Sequence, residues 1–148
     1  MKRETKDISR IFCNKFRRFK FHVLCLLIFM NIINLAKEND NFRKVVEAGN
    51  HSQVVLMSLL PNEDIGEEVH DENDQILVFV EGEGKAVIDG EESSIGEGDL
   101  FLVKSGTRHN FINTSSDSPL KLYTVYSPAH HPADRVQKTK EQAMAEEY

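Results

Sequence analysis

Residues 75–99 read QILVFVEGEGKAVIDGEESSIGEGD. Three short extended runs, Gln75–Glu81, Lys85–Ile88 and Glu91–Ile95, are separated by glycine-bearing breaks. In the first run Gln75, Leu77 and Phe79 share one face, and Ile76, Val78 and Val80 share the other, because successive strand side chains alternate. A strand apolar on both faces is covered on both. In a small barrel one face looks into the lumen, and a second layer or a partner subunit covers the other. Asp89-Gly90 between two extended runs is a two-residue hairpin signal, since such a turn needs positive φ. Gly82-Glu83-Gly84 lacks the third glycine and the following helix of a dinucleotide loop, and reads as a second hairpin turn.

Outward from this stretch the pattern repeats. Further β-type runs are Phe42–Val46, Gln53–Leu60, Ile65–His70, Leu100–Val103, His109–Asn113 and Leu120–Ser127, with turn residues between them. Short strands at even spacing predict an all-β sandwich or closed antiparallel barrel. Thr139-Lys-Glu-Gln142 is a capping-box pattern ahead of helix formers, so a short C-terminal helix is expected from about residue 139. With 148 residues, the chain is sized for one domain.

Charge divides the chain. Residues 1–29 carry eight Lys or Arg and two acids, a net of +6, which leaves ten basic and twenty-two acidic residues, a net of −12, in the remainder. A body this acidic repels phosphate backbones, so no nucleic-acid partner is expected. Both cysteines, Cys13 and Cys25, and none of the eight glycines lie in residues 1–29. The main domain therefore has no thiolate ligand or nucleophile, which fits a cytoplasmic, reducing setting. The apolar run Val23–Met30 is short for a spanning helix. Residues 1–29 read as an extension upstream of the working protein or, alternatively, as a signal or anchor extending to residue 36 that would export or tether it. A basic amphipathic membrane helix is a third reading. The expected organisation is this extension, a lead-in strand segment over 30–49, the barrel over 50–128, and a loop with a helix over 129–148.

Glu68 and His70 stand two apart on an expected strand and so share a face. Gln75 opens the next run after a tight turn, and His109 opens a later one. Antiparallel closure brings these four oxygen or nitrogen donors to one barrel end, where a divalent metal could bind.

These residues resemble the two sequence motifs of the cupins. The first motif is Gly, five residues, His-x-His, three or four residues, Glu, six residues, Gly. Here Asn62, Glu68-Val-His70, Gln75 and Gly82 keep its spacing, with Asn62, Glu68 and Gln75 replacing Gly, His and Glu. The second motif is Gly, five residues, Pro-x-Gly, two residues, His, three residues, Asn. It is matched by Gly98, Lys104-Ser-Gly106, His109 and Asn113, with Lys104 in place of Pro. The resemblance covers about residues 50–127 and is closest to small single-domain cupins often labelled mannose-6-phosphate isomerase-like. It implies a cupin double-stranded β-helix, a jelly-roll barrel, and a homodimer. Carried over position by position, it implies metal ligands Glu68, His70, Gln75 and His109. That donor set suits Mn, Fe, Ni, Co or Zn. Gln75 could instead hydrogen-bond to a ligand from outside the coordination sphere. A degenerate site, its polar residues satisfied by one another and by water, is the alternative to a metal.

The functional expectation is a metal-binding protein that binds or transforms a small polar metabolite, such as a sugar derivative, at the barrel mouth. As an enzyme it would be a metal-dependent isomerase or dioxygenase; the alternative is a non-catalytic or regulatory binder. Asp71, Glu72 and Asp74 read as a solvated loop, with a general base as the sharper reading. His130 and His131, adjacent in a loop between Pro128 and Pro132, are expected in a surface or rim role, and His22 and His51 as structural or exposed. Lys104 and Arg108 flank the mouth, either to attract an anion or as surface ion-pair partners. Tyr123 and Tyr126 are expected as core or mouth packing.

Overall fold

A computed structural model describes residues 30–146; the expectations for residues 1–29 lie outside these. The hairpin forms as predicted. Asp89 and Gly90 have φ of +50° and +87°, and they join β4 (Gly84–Ile88) to β5 (Glu91–Ile95) with Ile88 opposite Glu91. The other edge of β4 pairs with β7 (His109–Asn113), completing a three-stranded sheet. The second sheet runs β6 (Leu100–Val103), β3 (Asp74–Glu81), β8 (Leu120–Ser127), β2 (Gln53–Leu59), β1 (Arg43–Ala48) and β9 (Val136–Gln137). Every pairing is antiparallel. The inward faces of both sheets meet in one core containing Leu77, Phe79, Ala86, Ile95, Phe111 and Leu122. Phe79, Phe101 and Phe111 pack there with ring centroids 5.4–5.9 Å apart.

Gly82-Glu83-Gly84 is not a hairpin turn. Strand β3 pairs with β6 and β8, and β4 with β5 and β7. These three residues carry the chain from one sheet to the other. The corner is crowded. A Cβ on Gly82 would meet the Pro119 carbonyl oxygen at 2.5 Å, and one on Gly84 would meet that of Ile112 at 2.4 Å. Glycine is needed here for close backbone approach.

Three further expectations change. The lead-in segment 30–49 is not all strand: Ile32–Glu38 forms helix α1, and β1 follows. Asn31 caps the helix by accepting from the Asn34 amide. Buried Ala36 sets it against Leu56 and Val80 on the outer face of the six-stranded sheet. Residues 65–70 form no regular strand, only isolated bridges from Asp64 to Ile112 and from Glu68 to His109. Gly66, at φ +96°, breaks the extended path between them. Strand β9 has no counterpart among the expected runs; two residues are too few to carry a period. The C-terminal helix α2 spans Lys140–Glu146, with the Thr139 hydroxyl accepting from the Gln142 amide. Among the described residues, no helix is long and apolar enough to cross a membrane.

Candidate metal centre

The site is made by the first inward-facing residue of each of two strands. On β3 the lumen face carries Gln75, Leu77 and Phe79, and on β7 it carries His109, Phe111 and Asn113, all buried. Residues 65–70 run beside β7. Glu68 and His109 exchange two backbone hydrogen bonds, of 2.9 and 3.0 Å. The Gly106 amide donates to the His70 carbonyl at 2.9 Å. These bonds hold Glu68 and His70 on one face without a regular strand around them.

All four expected residues come together. His70 Nε2 lies 3.2 Å from Glu68 Oε2, and His109 Nε2 lies 4.0 Å from the same oxygen. Gln75 Oε1 is 3.1 Å from His109 Nε2. The ligand atoms of Glu68, His70 and His109 lie within 4.8 Å of one another. Two donors, each about 2.1 Å from one ion and about 90–145° apart, are separated by about 3–4 Å, so the three contacts match a single coordination sphere.

Hydrogen-bond chemistry points the same way. His109 Nδ1 faces the Thr107 carbonyl at 2.9 Å. A carbonyl only accepts, so Nδ1 carries the hydrogen and Nε2 presents its lone pair. The Gln75 amide nitrogen donates to the Tyr126 hydroxyl at 3.0 Å, which turns Oε1 toward that lone pair. A cation placed between them would take a lone pair from each. The residues present therefore fit a divalent ion, which Glu68, His70 and His109 would hold with Gln75 beside them.

Burial lowers the pKa of His109, more than the Thr107 carbonyl and Glu68 raise it, which favours the neutral ring that metal binding needs. Burial alone would raise that of Glu68. The His70 hydrogen bond and the charge of Arg43, with smaller help from the imidazoles, outweigh it and hold the carboxylate below the usual range.

Around these four the structure adds Arg43, Gln53, Asn73 and Gln137, which the sequence reading did not single out. It also gives partners to Tyr126, expected as core or mouth packing, and to His130 and His131, expected in a surface or rim role. Buried Arg43 donates to Glu68 Oε1 at 3.2 Å and to Gln137 Oε1 at 3.2 Å. Its one sequence signal was phase: Arg43 and Val45 occupy the same face of β1, so a cation stands where a core residue is expected. Tyr126 is fully buried and orients Gln75. His130 lies at the rim, edge-on to His70 at 4.5 Å and stacked on Tyr126 at 5.2 Å. His131 is half-buried, and burial first, then Arg43 and the neighbouring imidazoles, push its pKa down to about 3. The Gln53 side chain, itself buried, bonds the backbone of both histidines, and Asn73 bonds the Pro128 carbonyl, so this segment is fixed across the rim.

The remaining candidates sit apart from the four donors. Asp71, Glu72 and Asp74 are exposed, and Asp74 caps the Ser105 amide. Arg108 pairs with Glu67 at the surface. Lys104 and His51 are exposed, and Tyr123 lies half-buried under α1. His22 is outside the described residues.

A two-sheet β-barrel with this donor cluster at one end defines a cupin, and the chain belongs to that family. Residues 55–126 match the family described as Cupin domain. The chain is 39% identical over 124 residues to the uncharacterized protein YrkC of Bacillus subtilis (strain 168), covering 80% of this chain and 66% of that one. About a third of that relative thus lies outside the match. It is 36% identical over 118 residues to an uncharacterized protein of Acanthamoeba polyphaga mimivirus, covering 76% and 74% of the two chains. A crystal structure of a Bacillus halodurans protein superposes with a TM-score of 0.78 at 38% identity, covering 80% of this chain and 94% of that one.

Proposed function

We propose that this cupin binds one divalent metal ion through Glu68, His70, His109 and Gln75, and uses it to bind or transform a small polar metabolite at the barrel mouth. The observation that carries the reading is the convergence of Glu68, His70 and His109, whose ligand atoms lie within 4.8 Å of one another, with Gln75 Oε1 3.1 Å from His109 Nε2. When bound, such an ion supplies Lewis acidity to an oxygen of its ligand. Glu68 supplies the charge and His70 and His109 the neutral nitrogens. Tyr126 fixes the Gln75 amide, and His130 and His131 wall the rim. Among the described residues no carboxylate beyond Glu68 joins the cluster, so a role in binding is as well supported as one in isomerase or dioxygenase chemistry. Cobalt, nickel, iron, manganese and zinc all suit this mixed set.

Metal analysis of protein purified without chelator tests the site. The wild type should carry close to one equivalent, and the His70→Ala/His109→Ala variant almost none. Equal content in both would end the reading.

We further propose a homodimer through the outer face of β3 and β6. Ile76, Leu100 and Leu102 are 37%, 61% and 55% exposed there. They sit in paired positions, Ile76 opposite Leu102 and Val78 opposite Leu100. Among the described strands β6 is an outer strand of its sheet. Such a contiguous apolar patch is typical of an association surface.

A further inference from the structure

Resting on the metal reading above, we propose that the ligand of this centre is a small organic acid, bound through its carboxylate, and that Arg43 makes the centre select for it.

Glu68 divides its two oxygens. Its Oε2 faces His70 and His109, while its Oε1 accepts from the Arg43 guanidinium at 3.2 Å. One carboxylate thus serves the metal site with one oxygen and a cation with the other. The Arg43 side chain is 2% exposed and that of Glu68 16%, so water does little to screen the contact. A guanidinium bonded to the far oxygen draws charge away from the near one. Glu68 then offsets less of an ion's double charge than a carboxylate in water would.

The other donors do not make up the difference. Imidazoles coordinate as neutral bases, and the Gln75 amide is neutral. The acids near the rim, Glu67, Asp71, Glu72 and Asp74, are all exposed and directed to solvent or surface partners. A loaded centre therefore keeps an excess of positive charge in a partly desolvated place, and an anion is the ligand that relieves it. A neighbouring cation adds to this. Lys104 is exposed on the turn whose Gly106 amide is bonded to the His70 carbonyl. The acidic body opposes anion approach only at long range, and salt screens that beyond about 8 Å.

Arg43 is a positioning and charge-setting residue here, not a catalytic one. Its geometry is fixed from behind. Gln137 on β9 accepts from it, and Gln137 is in turn bonded to Glu146 of α2. This gives the C-terminal segment a reason to fold back beside β1.

The test uses the full-length protein loaded with cobalt(II), followed by its visible absorption and by calorimetry. Glycolate and ethylene glycol are the probes, being alike in size and differing by one carboxylate. Glycolate should perturb the spectrum at concentrations at least about tenfold below ethylene glycol. That preference should exceed the one aqueous cobalt(II) shows between the same two molecules by a further factor of about ten. In Arg43→Met, glycolate should bind about tenfold more weakly while cobalt binds at least as tightly as in the wild type. Arg43→Lys should keep most of the glycolate affinity. A merely structural arginine would weaken metal and glycolate together.

Wild-type protein that takes up cobalt but shows no preference beyond that of the aqueous ion overturns the proposal. So does an Arg43→Met protein that binds glycolate as the wild type does. Should Arg43→Met fail to fold, the wild-type comparison decides alone. Failure of the wild type to take up cobalt or another divalent ion at the site is a different result: it removes the metal reading itself.

Discussion

The two ends of the barrel lumen are built from the same strands and do opposite work. On β3, Gln75 and Phe79 share the inward face four residues apart, and on β7, His109 and Phe111 share it two apart. On β8 the inward positions are Tyr126, Thr124, Leu122 and Leu120, all buried. At one end the lumen is filled by Phe79, Phe111, Leu120 and Leu122, fully buried within one apolar core. At the other stand Gln75, His109 and Tyr126, just as buried but linked through polar atoms. The apolar floor supplies cohesion, and the polar end relies on it. Burying a hydrogen-bonded amide or imidazole yields little net stability, whereas an aromatic side chain removed from water contributes strongly.

The largest effect should come from breaking the floor. Phe79→Ala removes the ring that touches both Phe101 and Phe111 and should cost about 3–5 kcal/mol of unfolding free energy. Urea titration measures this directly. The fraction still folded should bind metal with wild-type affinity, because Phe79 packs on other floor rings rather than on a donor. A parallel loss of affinity in folded protein would show that the two ends are not separable.

Acidification should strain the polar end instead. The pKa of His131 is depressed to about 3 by burial and neighbouring positive charge. In the unfolded chain this imidazole gains its proton near its ordinary value of about 6.5. Between those values the unfolded state holds a proton the folded state does not. Stability is thus intact above the unfolded pKa and falls as pH drops toward 3, by up to about 1.4 kcal/mol per pH unit from this group. His109, also depressed, adds in the same direction. Chelator-treated protein melted from pH 7 to 4 should show the decline, and His131→Phe should flatten it. An unchanged slope in that variant would place the acid sensitivity elsewhere.

The smallest effect on stability should come from the outer face. Leu102 is exposed, so Leu102→Glu should alter the stability of the monomeric unit by no more than about 0.5 kcal/mol. In sedimentation it should turn a dimer into a monomer. A wild type that already sediments as a monomer would refute the dimer.

How much of this is legible beforehand follows from the range of each signal. Alternation along Gln75–Glu81, the Asp89-Gly90 turn and the spacing of Glu68, His70, Gln75 and His109 are local patterns, and they lead to the barrel and to the donor cluster. Gly82-Glu83-Gly84 misleads because a turn within a sheet and a crossing between sheets call for the same residue types. Segment 30–49 misleads because Ile32–Glu38 is too short for a helical period to stand out. Arg43 escapes notice because a single cation in a strand ordinarily points to solvent.

The sequence by itself determined the strand faces, the hairpin at Asp89-Gly90 and the residue types available to hold a metal, since each follows from backbone geometry within a few residues. Only the tertiary structure decided that Arg43 and Glu68, twenty-five positions apart, share a largely buried ion pair, that Gln137 backs it, and that the Gln53 side chain ties the backbone of His130 and His131. Those contacts arise from sheet register and chain return, and no local pattern encodes the distance between two strands that meet only when the barrel closes.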